Sequence, residues 1–220
     1  MVVLEFGNEN MELKPSKIVC LGRNYAEHAK EMKSEVPSKP VIFLKPPSSL
    51  IGPNQSIILP EESRNVHHEV ELAVIISKRA KNVDMDRAME HVLGYTILLD
   101  ITARDLQNEA KRKGLPWSVS KGYDTFAPVG PRIVPGDEID PHSLEIGLKV
   151  NGEIRQKGNT AQMIFKIPQI ISYISSIMTL ERGDIIATGT PSGVGKIEDG
   201  DVIEAWIEGI GLLKERVMRL

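Results

Sequence analysis

Two glutamates one residue apart, in His67-His68-Glu69-Val70-Glu71-Leu72-Ala73-Val74-Ile75-Ile76, stand where their spacing could do chemistry. Alternate side chains of a strand share a face, so Glu69, Glu71, Ala73 and Ile75 point one way and Val70, Leu72, Val74 and Ile76 the other. The first face begins charged and ends apolar. That puts two carboxylates at the mouth of a buried region, where repulsion and desolvation call for a cation or a proton. A strand whose first half simply lies in water is the competing reading, and Glu-x-Glu alone leaves it open. Asp100 follows the apolar run Tyr95-Thr96-Ile97-Leu98-Leu99. It reads either as an N-cap for the next helix or, if the two runs are neighbouring strands, as the third member of an all-oxygen set. Such a set suits Mg²⁺ or Mn²⁺ better than zinc. His67 and His68 face opposite ways, so at most one joins the glutamates, and structural or outer roles suit both.

Arg104 and Gln107 stand four and seven residues beyond Asp100, a spacing that a helix aligns on one face. Arg104 can grip a carboxylate in bidentate fashion and Gln107 can donate to a carbonyl; a plain Asp100 to Arg104 helix pair competes with this. In Gly22-Arg23-Asn24-Tyr25-Ala26-Glu27-His28-Ala29-Lys30-Glu31, His28 and Glu31 are three apart. On a helix they can meet, and the carboxylate can orient the imidazole as a general base, although a surface His near a Glu needs no such role. Lys121 could stabilise a developing oxyanion, and the loop Thr188-Gly189-Thr190-Pro191-Ser192-Gly193-Val194-Gly195 offers hydroxyls and amides to an anion. A snorkelling lysine and an ordinary turn are the bland versions. The loop is no phosphate-binding P-loop, because Lys196 precedes Ile197, and neither a dinucleotide-binding glycine pattern nor a nucleophile elbow is present. Cys20, inside an apolar run, reads as core.

These residues need elements to hold them. Runs rich in Val and Ile over Lys17 to Leu21, Val41 to Leu44, Ser56 to Leu59, Val70 to Ile76, Tyr95 to Leu99, Leu144 to Val150, Asp184 to Ala187 and Val202 to Ile207 predict strands. Helical patterns cover Ala26 to Met32, Asp84 to His91, Thr102 to Arg112, and Ala161 to Ser176 despite Pro168. Helices do not alternate with strands, so the fold class is α+β and β-rich, a sheet roll or sandwich with flanking helices rather than a doubly wound sheet. Asn151-Gly152 predicts a tight hairpin. The polar stretch ending at Pro40 suits a surface segment, and residues 24–40 are expected to form a mobile lid. No low-complexity linker divides the chain, and residues 1–220 are expected to form one catalytic domain.

Composition closes off several classes. Lys and Arg number 27 against 30 Asp and Glu, a net charge of −3, so no basic face for nucleic acid is expected. With 41% hydrophobic residues the chain can bury a core. The N-terminus lacks a basic n-region, no apolar run approaches the roughly 18 residues of a membrane span, and a single cysteine fits the cytoplasm.

Taken in order, Gly22 to Ala26 with His28 and Glu31, Phe43-Leu44-Lys45-Pro46-Pro47-Ser48, His68 to Ala73, Asp100 to Gln107, Ser120-Lys121-Gly122-Tyr123-Asp124 and Thr188 to Gly195 resemble the fumarylacetoacetate hydrolase family. They span residues 17 to 196. The resemblance implies a mixed β-sandwich or roll like that family's C-terminal domain, usually as a homodimer. It also implies Mg²⁺ or Mn²⁺ held by Glu69, Glu71 and Asp100, an acid/base dyad of His28 and Glu31, and a catalytic Lys121. Arg23, Arg104, Gln107 and Thr190 would then bind substrate. The chain looks most like the short acylpyruvate hydrolase, oxaloacetate decarboxylase and hydroxyheptadienedioate isomerase branch. The implied activity is metal-dependent cleavage of a small 2-oxo acid with a 1,3-dicarbonyl pattern, either acylpyruvate hydrolysis or oxaloacetate decarboxylation, through a metal-held enolate. Isomerisation or tautomerisation of an unsaturated dicarboxylate or of oxaloacetate is the alternative. A non-catalytic metal- or ligand-binding domain is the alternative of another class.

Overall fold

Each apolar run read above as a strand forms one, because β-branched side chains fit a pleated sheet buried on one or both faces. The computed structural model describes residues 2–32 and 35–220. Its largest sheet is mixed and runs in the order Glu9–Leu13, Val2–Phe6, Ala127–Pro135, Val92–Leu99, Val70–Ile76, Ile185–Ala187, Ile18–Gly22 and Val41–Lys45, with Leu50–Ile51 paired to Ala127–Pro135. A second sheet joins Glu153–Asn159, Glu145–Val150, Val202–Ile207, Gly211–Met218 and Ser56–Ile58. A small third sheet of Thr102–Ala103, Val66–His68 and Gly195–Lys196 ties the candidate residues together.

The strand Val70–Ile76 is buried along its whole length. Val70, Leu72, Val74 and Ile76 enter a core shared with Ile146, Leu148, Ile203 and Leu213 of the second sheet and with the helix Ile167–Ile177. Ala73 and Ile75 enter a separate core with Ile18, Cys20 and Val129 on the opposite face. The fold is thus β-rich α+β, with few helices. Cys20 is fully buried there, and burial pushes its thiol well up, as expected of a core residue.

Differences from the sequence reading have physical causes. The polar strand Glu153–Asn159 was unmarked because its side chains are mostly exposed, yet it pairs with Glu145–Val150 across a turn in which Asn151 (φ 52°) and Gly152 (φ 81°) are both left-handed, as the hairpin signal requires. Thr102 and Ala103 pair with Val66 and His67 instead of opening a helix, which starts at Arg104. Pro168 lies in the first turn of the helix Ile167–Ile177, where no N–H is needed. Met85–His91 winds as a 3₁₀ helix. Among the described residues no helix is long and apolar enough to cross a membrane.

Glu215 breaks the inward apolar pattern of Gly211–Met218. It sits between Leu213 and Val217, only 1% exposed, and among the described residues neither carboxylate oxygen has a hydrogen-bond partner. Burial alone pushes its pKa from 4.5 up to about 8, so the folded chain keeps a proton that the unfolded chain releases. The stability this carries is complete below about pH 4.5 and is lost as pH rises through about 8, on the order of 5 kcal/mol in all. In Glu215→Gln, unfolding measured in urea should match wild type at about pH 5 and exceed it at about pH 9. An equal difference at both pH values would show that Glu215 is not the titrating group.

Candidate active site

Antiparallel pairing sets Val70 opposite Leu99 and Glu71 opposite Leu98, and the Asp100 N–H donates to Glu69 O at 2.9 Å. Register therefore delivers Asp100, one residue past its strand, to the two glutamates. Oxygens of Glu69, Glu71 and Asp100 lie within 4.8 Å of one another. Exposures of 4%, 1% and 1% dispose of the half-solvated strand. The N-cap of the following helix is Ala103, which disposes of a capping role for Asp100.

Three cations meet this charge. Lys121, 2% exposed, donates to Asp100 Oδ2 (2.5 Å), Thr102 Oγ1 (2.6 Å) and Glu69 Oε2 (3.2 Å), which excludes a snorkelling role. Burial would lower its pKa, but Asp100 and then Glu69 outweigh that and raise it. Lys45, fully buried, donates to Ile101 O (2.9 Å) and Lys121 O (2.6 Å) and lies 2.9 Å from Asp100 Oδ1. Arg104 donates through Nη2 to Glu69 Oε1. Burial works to raise the Glu69 carboxyl, but Lys121 and Arg104 hold it well below the usual range. Among the described residues Glu71 has no such cation, and its Oε2 accepts the Gly189 N–H at 2.7 Å. Burial and the charges of Asp100 and Glu69 push it well up.

These residues fit a hard divalent cation. The donors are all carboxylate oxygens, and among the described residues Glu71 is the carboxylate without a paired cation.

Arg104 and Gln107 share the inner face of the helix Arg104–Lys113, which Gly114 stops in the left-handed conformation (φ 66°). Asp100 is not on that helix, so the expected alignment of Asp100 with Arg104 and Gln107 on one helix face does not form, and in place of the competing Asp100 to Arg104 pair Arg104 pairs with Glu69. Arg104 also donates to Gln107 Oε1 (2.7 Å) and, through Nε, to His67 Nδ1 (3.5 Å). Of five guanidinium N–H groups two stay uncommitted, as does the Gln107 amide NH₂ among the described residues. Lys111, one turn on, lies with its Nζ 5.2 Å from the centre of the Trp117 ring. Burial first, then the charge of Arg104, lowers it to about 8.

His28 and Glu31 fall on the short helix Ala26–Glu31 and meet, Nδ1 to Oε2 at 3.3 Å. An ionised carboxylate only accepts, which assigns the proton to Nδ1 and leaves Nε2 a lone pair. Glu31 accepts in turn from the Gly193 N–H at 3.1 and 3.2 Å. Gly193 (φ 96°) must be glycine: a Cβ there would stand 2.1 Å from Arg155 O. Asn24 anchors the start of the expected lid, donating to Thr188 O (2.7 Å) and accepting from Phe165 N (2.8 Å), while residues 33 and 34 lie outside the described residues.

Arg23, His28, Glu69, Glu71, Arg104, Gln107, Lys121 and Thr190 line one cavity of about 180 Å³, with Glu31 bonded behind His28 and Asp100 bonded to Lys121. The Thr190 hydroxyl donates to Val70 O (2.7 Å) and accepts from Gln156 Nε2 (2.8 Å). Sequence reading assigned no role to Gln156, which is fully buried, bonds His68 Nδ1 (3.0 Å) and accepts the Val70 N–H (3.1 Å). Nothing in the polar run around it marks it. Lys45, part of the Phe43 to Ser48 segment but given no role of its own, carries a signal in the sequence: a charge ending an otherwise apolar run just before two prolines.

A double-sided β core holds three clustered acids beside a His-Glu pair, and the chain belongs to the fumarylacetoacetate hydrolase family. Residues 17–218 match the model of the fumarylacetoacetate hydrolase C-terminal domain. The oxaloacetate tautomerase FAHD1, mitochondrial, of Bos taurus is 52% identical over 203 residues, 92% of this chain and 91% of that one. The oxaloacetate decarboxylase, mitochondrial, of Dictyostelium discoideum is 55% identical over 196 residues, 88% and 89% of the two chains. The crystal structure of fumarylpyruvate hydrolase from Pseudomonas aeruginosa in complex with Mn²⁺ and pyruvate superposes with a TM-score of 0.94 at 34% identity, covering 100% of this chain and 96% of that one.

Proposed function

We propose that this chain is a Mg²⁺- or Mn²⁺-dependent enzyme that cleaves or decarboxylates small 2-oxo acids bearing a 1,3-dicarbonyl pattern. The observation that carries the reading is that His28, paired with Glu31, lines the same small cavity as the buried carboxylates and Lys121. Glu69, Glu71 and Asp100 would hold the divalent ion, which when bound would supply Lewis acidity toward a keto acid. Arg104 offers its two uncommitted N–H groups to the substrate carboxylate, and Gln107 donates its amide to a carbonyl. For acylpyruvate hydrolysis, His28 Nε2 takes a proton from water, whose oxygen adds to the distal acyl carbon. The bond between that carbon and C3 then breaks, its electron pair passes to the pyruvate enolate, and the proton on His28 returns to C3. Lys121, committed to Asp100, Thr102 and Glu69, acts from beside the enolate by charge. Decarboxylation of oxaloacetate reaches the same enolate by loss of CO₂.

Oxaloacetate tautomerisation is the second reading, favoured by the name of the Bos taurus relative, and needs only the proton transfers of His28. The same reading takes the chain to be a homodimer, as the family resemblance implies, in the cytoplasm, where a lone buried thiol is at home. Metal-stripped protein should be tested with and without Mg²⁺ against acetylpyruvate and oxaloacetate. Metal-dependent pyruvate release is expected. Enol–keto interconversion without pyruvate promotes the tautomerase, and no metal-dependent change in either acid sinks both.

A further inference from the structure

Gln156 is fully buried in the middle of Glu153–Asn159, a strand whose other side chains are mostly exposed. All four hydrogen-bonding positions of its amide are filled. Oε1 accepts the Val70 N–H (3.1 Å) and meets His68 Nδ1 (3.0 Å), while Nε2 donates to Thr190 Oγ1 and to Pro191 O, both at 2.8 Å. A backbone N–H can only donate and a backbone carbonyl can only accept, so the amide has one orientation. Saturation of this kind fixes position, because a shift of the side chain would leave several buried partners unmatched at once.

Two of these partners lie on the loop that serves both halves of the site. Thr188, through its N–H and its hydroxyl, donates to Leu72 O, and the Thr190 hydroxyl donates to Val70 O. The strand Val70–Ile76 itself therefore seats the Gly189 N–H against Glu71. From Pro191 onward the loop rests on Glu153–Asn159 instead. A Cβ on Gly158 would stand 2.8 Å from Pro191 Cβ, and one on Gly193 would stand 2.1 Å from Arg155 O and 3.3 Å from Gln156 Cα. The Gly193 N–H delivered there binds Glu31, which in turn holds His28.

We propose that Gln156 is a positioning residue: it seats Pro191 to Gly193 so that the Gly193 N–H fixes Glu31 and, through Glu31, the His28 imidazole. This rests on the reading above that His28 is the general base. The carboxylate cluster depends on a different hold, since Glu69 and Glu71 are placed by the pairing of Val70–Ile76 with Val92–Leu99. The effect of Gln156 therefore falls on the proton-transfer geometry of the dyad, where small displacements of a reacting group are costly.

The test replaces Gln156 with methionine, which keeps its length and removes all four bonds. Turnover is measured on whichever of acetylpyruvate and oxaloacetate the Mg²⁺-loaded wild type accepts, and Mg²⁺ affinity by calorimetry. Gln156→Met should lower kcat by about tenfold to a hundredfold, the cost of misplacing a reacting group by up to about an ångström. KM and Mg²⁺ affinity should each move less than about threefold. In Glu31→Ala no carboxylate remains for the loop to orient, so adding Gln156→Met should cost less than about twofold more. The same loss in both backgrounds, or a fall in Mg²⁺ affinity as large as the fall in rate, overturns the positioning role. Nitrogen NMR of the His28 ring needs no turnover: the wild type should carry its proton on Nδ1, and Gln156→Met should show both tautomers. An unchanged ring spectrum also overturns the role. If Gln156→Met fails to fold, Gly158→Ala, which presses a methyl group on Pro191 and leaves the Gln156 side chain in place, should show the same pattern with a smaller loss, and an unchanged kcat there overturns it. A wild type that turns over neither acid overturns the proposed function, and the ring spectrum then decides the positioning role by itself.

Discussion

Replacing His28 with alanine is expected to lower turnover of the accepted 2-oxo acid by about 10²–10⁴-fold while leaving Mg²⁺ affinity unchanged. That range is what a positioned general base contributes, and the geometry isolates it. The imidazole is 6% exposed, bonded through Nδ1 to Glu31, and Glu31 is itself fixed by the Gly193 N–H. Removing it takes away a base without taking away any carboxylate of the cluster. Glu31→Gln should reproduce part of the loss, because an amide in that place can still meet Nδ1 but no longer offers the charge that stabilises an imidazolium. Unchanged turnover in His28→Ala, with metal binding intact by calorimetry, would sink the dyad. A fall in metal affinity as large as the fall in rate would give His28 a structural role instead.

The second large effect is on stability. Lys121→Met should destabilise the metal-free protein by about 3–5 kcal/mol, the cost of leaving buried charge without its partner. Lys121 is the cation that touches two of the three acids, and its loss leaves Asp100 with Lys45 and Glu69 with Arg104, while Glu71 still has none. Burial already pushes the Glu71 carboxyl up, so the variant adds to an existing imbalance. Mg²⁺ should restore more stability to Lys121→Met than it adds to wild type, since the ion enters a cluster that is one positive charge poorer. Denaturant unfolding with and without Mg²⁺ measures both quantities. A loss below about 1 kcal/mol in the metal-free variant would mean that the cluster is more hydrated than its burial indicates.

Local chemistry was legible where neighbours in the chain are neighbours in space. The run Val70 to Ile76 and the run Val202 to Ile207 are strands over the same bounds in the structure, because β-branched residues at period two declare themselves without help. The Asn151-Gly152 turn follows from two residues that tolerate positive φ. The meeting of His28 and Glu31 follows from helical spacing of three. The resemblance carried by six ordered segments brought the family with it, and the match over residues 17–218 bears it out.

What sequence pattern could not settle was which side of each ambiguous face is buried. Glu69 and Glu71 alternate as solvent-facing residues would, and only the second core beneath Ala73 and Ile75 puts them inside. Asp100 reaches them because one strand pairs with another in a particular register, and a shift of one residue would turn Glu71 to the opposite face. Lys45 and Gln156 act on residues far along the chain, Lys45 on Asp100 and Gln156 on His68, 88 residues apart. The amino-acid sequence by itself determined the apolar strands it marks, the tight turn and the His-Glu pair, since these depend on torsions and contacts within a few residues. The tertiary structure alone decided the buried charge cluster and the cations that balance it, because desolvation and Coulomb attraction act between whatever the fold brings together, whatever their distance along the chain.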